Sequence, residues 1–379
     1  MLSLKKYLLA VAYNIKVKFS LFRLRVGKKL RLIRTVMIMP YQGFGNKDEI
    51  FFLGRVLRDR GVGLSTLEDS RWKNFSRMYK RFMTWEIPYV QVKATLGNVT
   101  ELVTTDGDGY FEFRLNPEES EEVSVPWQEI KLELINRVAV SAERVTASNR
   151  IFIASKNVEF GVISDIDDTI VPTGATRMWE MIKTTFFGNA HTRVPFPGVS
   201  AFYQALAKGS AGKVDNPFFY VSSSPWNLYD FLMEFMQIHK IPQGPLMLRD
   251  IGLSREYFFS GSHTEHKRTQ VERIFKIISN IPFILIGDSG QHDAEIYHQV
   301  IKDFPGRVKM VYIRDVHPVN HNKVIKIAEE IKKLGVEMML VKDTVEAARH
   351  AASHDWIVES DIWEVAEEKR VEEDGSLVV

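Results

Sequence analysis

Along the first turns of the chain, Leu4, Leu8, Val11, Ile15, Phe19 and Phe22 recur at steps of three and four, the spacing that lines one face of a helix. From about Val36 to Ala154 the pattern changes. Short alternating or β-branched runs such as MIMPY, IFFLGRVL, YVQVKATL, GYFEFRL and IKLELI are separated by turn residues, which predicts an antiparallel β-sandwich. Inside it, Trp72, Phe75, Met78, Tyr79 and Phe82 return to helical spacing among Arg71, Lys73, Arg77, Lys80 and Arg81. That predicts one helix with its apolar face in the core and a basic outer face. From Phe160 onward, strand-like runs (GVIS, FFYVSS, FILIG, VKMVYI, EMMLV) alternate with amphipathic helical ones (VSAFYQALAK, NLYDFLMEFMQ, RTQVERIFKII, KVIKIAEEIKKL). Such alternation predicts an α/β unit, a parallel sheet covered on both faces, with ligands held at the carboxyl ends of its strands. Three of those ends carry polar groups: Asp165, Ser222 and Asp288.

The chain has 379 residues, 45% of them hydrophobic, enough for a full core and more than one domain. Its net charge of +2 conceals segregation: residues 1–34 hold ten Lys or Arg and no acid, whereas the C-terminus is rich in Glu and Asp. Cysteine is absent, which excludes disulfides and thiolate metal sites and permits a reducing compartment. Asn14, Lys16 and Lys18 interrupt the first apolar run, so it reads as a retained segment and not as a signal peptide. No stretch approaches the roughly 20 apolar residues needed to cross a bilayer. Two readings of residues 1–34 stay open: a basic amphipathic helix on an anionic membrane surface, or a helix packed on the protein with its lysines in solvent. The segment Asp106–Gly109 (DGDG) is favoured as a hairpin turn, because a calcium loop would need a third oxygen ligand at Tyr110. The passage TTDGDGYFEF is similar to turns in transthyretin-like sandwich modules, which implies a docking role for residues 35–155.

Four motifs follow in order. They are Asp165-Ile166-Asp167-Asp168-Thr169, Ser222 ending FFYV, Lys267 in HTEHKRTQVERI, and Gly287-Asp288 through Asp293 in IGDSGQHD. Together they resemble the haloacid dehalogenase (HAD) superfamily of aspartate-nucleophile phosphatases, and the resemblance implies a HAD-like Rossmannoid sheet. It also implies that Asp165 attacks phosphorus to form an aspartyl phosphate and that Asp167 protonates the leaving oxygen and later activates water. By the same resemblance Ser222 and Lys267 bind the phosphoryl oxygens, assisted by backbone N–H groups near Ser223. Mg²⁺ is then held by the Asp165 and Asp288 carboxylates and the Asp167 carbonyl, an all-oxygen set that suits a hard cation. Thr169 and Asp293 are expected in support, Asp293 orienting Lys267 or the metal's water shell. Asp168 is expected to cap the turn locally. Ser224 followed by Pro225 predicts an N-cap and a helix start. His263, His266 and His292 flank these motifs without a zinc-type ligand set, so substrate contact or packing is expected of them.

The stretches DIDDTIVPTG, VPFPGVSAFYQAL, YVSSSPWNLYDFL, LRDIGL and IGDSGQHDAEIY are similar to the actin-patch-associated phosphatidate phosphatase family. Membership implies hydrolysis of phosphatidate to diacylglycerol. The resulting layout is a basic amphipathic segment (1–34), a β-sandwich docking domain (35–155), a catalytic domain (156–342), and a C-terminal helix with an acidic tail (343–379). The gap from Asp165 to Ser222 has room for a short flap around Trp179 to Phe196, and neither it nor the gap to Lys267 can hold a cap domain of about 100 residues. A minimal cap leaves the site open to a phospholipid headgroup at an anionic membrane surface, which implies a cytoplasmic, peripheral-membrane enzyme. No nucleic-acid partner is expected, and no protein partner is indicated. A soluble phosphomonoester or phosphoprotein as substrate, or an inactive membrane-docking scaffold, remain the alternatives, although the intact acids and lysine argue against the scaffold.

Overall fold

The computed structural model describes residues 2–61, 71–117, 126–138, 144–153, 158–171, 195–212, 215–249 and 263–376. Helix α1 (Leu2–Lys29) leads into strands β1 (Val36–Pro40), β2 (Gly43–Gly45) and β3 (Ile50–Arg58), then helix α2 (Arg71–Phe82). Strands β4 (Gln91–Leu96), β5 (Val99–Thr104), β6 (Tyr110–Leu115), β7 (Trp127–Leu134) and β8 (Thr146–Ile153) complete this region. Hydrogen bonds join the strands in the order β1-β3-β2-β8-β7-β4-β5, with β6 also on β3. Alternation drives the pairing: in β6, Phe111, Phe113 and Leu115 are buried between exposed Glu112 and Arg114. The pairings are antiparallel except β2 with β8, which run parallel, a departure from a wholly antiparallel region. The DGDG segment does make a tight turn, in which Asp106 Oδ1 accepts from the Asp108 and Tyr110 N–H groups. It does not close a paired hairpin, however, since β5 pairs with β4 and β6 with β3.

Among the described residues the C-terminal half holds six strands, β9 (Gly161–Ser164), β10 (Phe218–Pro225), β11 (Leu246–Arg249), β12 (Phe283–Asp288), β13 (Val308–Arg314) and β14 (Glu337–Val341). Seven helices among the described residues accompany them: α3 (Val199–Lys208), α4 (Tyr229–Ile238), α5 (His263–Ile277), α6 (Asp293–Asp303), α7 (His321–Lys333), α8 (Thr344–Ser353) and α9 (Asp361–Ser376). The sheet order is β11-β10-β9-β12-β13-β14, and every pairing is parallel. The chain therefore steps outward from β9 to β11 and returns to the other side at β12. The order reverses between β9 and β12, the topological switch point where doubly wound sheets bind ligands. Alternate residues of each strand face opposite layers. Tyr220, Ile286 and Tyr312 pack with α3, α4, α8 and α9, and Phe219, Leu285 and Ile313 with α5, α6 and α7. The edge strand β11 has no counterpart among the runs picked out by pattern.

The two halves share their cores. Phe44, Phe51 and Phe152 join the cluster around Ile163 and Phe219, Tyr41 stacks on Trp226 at 4.1 Å between ring centres, and the Gln42 N–H donates to Tyr229 Oη at 2.8 Å. Arg81, expected on a basic outer face of α2, is buried and pairs with Asp230 at 2.8 Å. The helix turns that residue inward because Asp230 and Glu234 of α4 supply the counter-charges. The side chains of Arg71, Trp72, Lys73 and Phe75 lie outside the described residues.

Helix α1 uses two faces. Val17, Ser20 and Leu24 are buried, and Lys16 pairs with the buried Asp108 of the DGDG turn at 2.6 Å. Gly107 permits this approach, since a Cβ there would lie 2.6 Å from Val17 Cγ2. On the opposite side Ile15, Phe19 and Phe22 are 62%, 58% and 62% exposed. Among the described residues no helix is long and apolar enough to cross a membrane.

Candidate active site

Strand β9 ends at Ser164, and the next residue is tied across the switch point by an Asp165 N–H to Ile286 carbonyl bond of 2.9 Å. The neighbouring β12 ends on Asp288, so both carboxylates sit at strand ends, where backbone pairing stops and side chains of neighbouring helices can reach. Lys267, in the first turns of α5, lies 2.9 Å from Asp165 Oδ1 and 2.7 Å from Asp293 Oδ1. Asp293 opens α6, and its Oδ2 accepts from the Asp288 N–H at 3.2 Å. Gly287 makes that geometry possible: a Cβ there would stand 2.6 Å from Asp293 Oδ2. Asp288 Oδ1 accepts from the Gly290 and Gln291 N–H groups. Asp165, Lys267, Asp288 and Asp293 are all buried.

Three buried carboxylates around one ammonium leave an excess of negative charge in a poorly solvated place. Burial pushes Asp165 well above the carboxylate range; Lys267 opposes this and the Asp293, Asp288 and Asp167 charges add to it. Asp288 is pushed up to about 8, by burial first and then by Asp293. Burial works to lower Lys267, but Asp165 and Asp293 outweigh it and hold the ammonium charged. Asp293, with one oxygen on Lys267 and the other on a backbone N–H, is arranged to orient the lysine.

Asp167 faces a different strand. Its Oδ2 accepts from Ser222 Oγ at 2.7 Å and from Ser224 Oγ at 2.9 Å. Ser222 Oγ also accepts from the Ser224 N–H. Ser224 is not an N-cap, because β10 continues through Pro225 and Trp226–Leu228 forms a 3₁₀ turn before α4. The Ser223 hydroxyl is buried and has no hydrogen-bond partner among the described residues. Thr169 Oγ1 reaches Asp165 Oδ2 only at 3.5 Å. Asp168 takes φ 58 in a turn closed by its N–H to the Val171 carbonyl, as expected of a local role. His266 is buried, His292 is exposed near Glu295, and the His263 side chain and residues 179–194 of the proposed flap lie outside the described residues, while Phe196 at its end is partly buried against the core.

Two residues that motif reasoning passed over belong to the constellation. Ser224 follows Ser222 by the two-residue period that puts strand side chains on one face, a signal present in SSSP. Gln291 Nε2 donates to the Asp167 carbonyl at 3.1 Å and to Asp165 Oδ2 at 3.4 Å; it occupies a variable position of its motif, so nothing local marks it. The residues also fit a cation. Oxygens of Asp165, Asp288 and Asp293 lie within 4.8 Å of one another, and Asp288 Oδ2 is buried without a hydrogen bond among the described residues. That set of hard oxygens, carrying surplus negative charge, suits a divalent ion.

Residues 160–315 match the family model described as the catalytic domain of phosphatidate phosphatase APP1. The match takes in strands β9 to β13. It is 33% identical over 201 residues to phosphatidate phosphatase APP1 of Saccharomyces cerevisiae, an alignment covering 50% of this chain and 32% of the yeast protein. An uncharacterised protein of Schizosaccharomyces pombe is 27% identical over 157 residues, 41% of this chain and 25% of its own. The chain thus spans about a third or less of the curated relatives it matches. A carbohydrate acetylesterase from Xanthomonas citri aligns over 78% of this chain and 72% of its own at 9% identity with a TM-score of 0.25, too low to bear on fold or chemistry. All the motif residues from Asp165 to Asp293 fall within the APP1 catalytic-domain match.

Proposed function

We propose that this chain is a Mg²⁺-dependent phosphatase on a HAD-like fold that hydrolyses phosphatidate at a membrane surface through an aspartyl phosphate. The observation that carries the reading is the meeting of Asp165, Lys267 and Asp288 at the switch point, with Asp167 held by Ser222 alongside. The Asp165 and Asp288 carboxylates and the Asp167 carbonyl would hold Mg²⁺, which would supply positive charge against the phosphoryl oxygens. Asp165 attacks phosphorus in line as the bond to the leaving oxygen breaks, and Asp167 gives that oxygen its proton. Lys267 and Ser222 stabilise charge on the phosphoryl group. Water then attacks phosphorus, passes a proton to Asp167, and releases phosphate while freeing Asp165. The exposed Ile15, Phe19 and Phe22 beside Lys18 and Arg25 of α1 support a lipid-facing surface, because apolar burial and attraction to anionic headgroups act together there.

The test is phosphate release from phosphatidate vesicles, soluble phosphomonoesters, a phosphopeptide and an aryl phosphate, with Mg²⁺ or with chelator. Asp165→Asn is expected to lose at least about 10³-fold on every substrate, whereas Asp288→Asn raises the Mg²⁺ concentration needed for half-maximal rate. Near-normal Mg²⁺-stimulated turnover by Asp165→Asn would overturn the covalent route. Preference for a soluble monoester or the phosphopeptide over phosphatidate would overturn the substrate.

A further inference from the structure

A second group of ligand-type side chains lies at the far edge of the parallel sheet, away from the switch point. Glu337 opens the edge strand β14, His350 sits in the last turn of α8, and His354 follows just past the helix end. One ligand atom of each lies within 4.8 Å of the other two. The ring nitrogens are sorted by their partners. His354 Nδ1 stands 3.0 Å from the His350 carbonyl, which can only accept, so Nδ1 carries the hydrogen and Nε2 keeps its lone pair. His350 Nδ1 is 2.8 Å from Tyr312 Oη, while its Nε2 is shielded from water without a hydrogen bond and points to Glu337 Oε1 at 3.5 Å. A metal-binding imidazole is ordinarily held in this way, its second nitrogen fixed by a carbonyl or hydroxyl.

We propose that Glu337, His350 and His354 form a second metal site, taking Zn²⁺ or a similar late first-row divalent ion and fastening α8 to the edge strand β14. Two imidazoles and one carboxylate make a borderline donor set that favours Zn²⁺ over Mg²⁺, the reverse of the all-oxygen set at the switch point. Ligand atoms about 2.1 Å from a tetrahedral ion lie about 3.4 Å apart, so the cluster closes by roughly 1 Å; Glu337 and His354 are exposed, and the His354 ring, packed on His350 and Trp356, turns to bring its Nε2 in.

Zn²⁺ titration of the full chain by calorimetry, in excess Mg²⁺ to occupy the carboxylate site, tests this. One equivalent is expected to bind and to raise the unfolding midpoint, by ligand linkage to the folded state. His354→Ala, at an exposed position, is expected to fold with an unchanged metal-free midpoint, to bind Zn²⁺ at least about tenfold more weakly and to lose the Zn²⁺-dependent rise. Glu337→Gln is expected to behave likewise, and Asp288→Asn to keep the site. Co²⁺ in place of Zn²⁺ is expected to give the strong visible absorption of a tetrahedral site in the wild-type chain and not in His354→Ala. Equal Zn²⁺ affinity and stoichiometry in the wild type and His354→Ala, or no binding by the wild type at about 100 μM Zn²⁺, would overturn the proposal.

Discussion

Asp167 Oδ2 accepts two hydroxyl hydrogen bonds, from Ser222 and Ser224. Its lone pairs are thereby engaged, so a proton carried by this carboxyl resides on Oδ1, the oxygen left for a leaving group. If Asp167 is the acid, as proposed, Ser224 positions it without needing to touch substrate. Ser224→Ala removes one neutral hydrogen bond, about 1 kcal/mol, and is expected to slow turnover of alkyl phosphates by about fivefold. Aryl phosphates, whose leaving groups need less protonation, should be affected less, and an equal loss on both would point to general damage to the site. Asp167→Asn goes further. With aryl phosphates it should let a phosphoenzyme build up at Asp165, detectable by intact-mass measurement, while alkyl phosphates are scarcely turned over; no phosphoenzyme with either would count against the acid and base role.

Helix α3 begins at Gly198 without a side-chain cap of its own. The four leading N–H groups of a helix need partners, and two of these are met from the distant α9: Gly198 N–H donates to Glu372 Oε2 at 2.9 Å, and Ala201 N–H to Glu368 Oε1 at 3.0 Å. Acids at a helix N-terminus also offset its partial positive charge. Part of the acidic C-terminus is therefore built into the α/β layer, with Val365 buried beside it. Replacing Glu368 and Glu372 together by Ala is expected to cost roughly 2 kcal/mol, about 1 per lost bond, read as a lower urea midpoint at unchanged slope. The exposed pair Glu367 and Glu359 replaced in the same way serves as control, with a change expected within about 0.5 kcal/mol.

Across the whole molecule, α1 and the N-terminal sheet are packed into the structure, not appended to it. Val17 and Leu24 are buried and Lys16 holds Asp108, so removing residues 1–34 would strip a packed face along with the exposed one. The two faces are separable by point changes. Ile15→Ser with Phe19→Ser and Phe22→Ser is expected to leave the unfolding midpoint and aryl phosphate hydrolysis nearly unchanged, and to lower co-sedimentation with anionic vesicles and the rate on phosphatidate in them. Salt should weaken the wild-type association without abolishing it, since screening at about 3 Å in 1 M salt removes the Lys and Arg contribution and leaves the apolar one. Val17→Ala with Leu24→Ala should instead lower stability by several kcal/mol, about 2 or more for the buried leucine alone. Equal vesicle binding by the wild type and the triple serine variant would remove the membrane role from this helix.

The alternation of apolar strands and amphipathic helices after Phe160 was sufficient to call for a covered parallel sheet, and β9, β10, β12, β13 and β14 lie where those runs lie. The meeting of Asp165, Ser222 and Asp288 was legible for a related reason: a polar residue that closes an apolar run lies at the carboxyl end of a strand, whereas Lys267, in the first turns of α5, was placed by the order of the motifs. Periodicity reports only which side chains share a face of one element. Which distant surface that face meets is settled by packing, and there sequence reasoning stopped short. Arg81 turned inward because α4 offers Asp230 and Glu234; β2 paired parallel with β8; and Gln291 reached Asp165 and Asp167 only because β12 lies beside β9. The choice between a packed and a lipid-facing α1 was likewise undecidable from spacing, since apolar residues occur on both of its faces, and packing against the turn around Gly107 and the core of the N-terminal sheet determined which of them is covered.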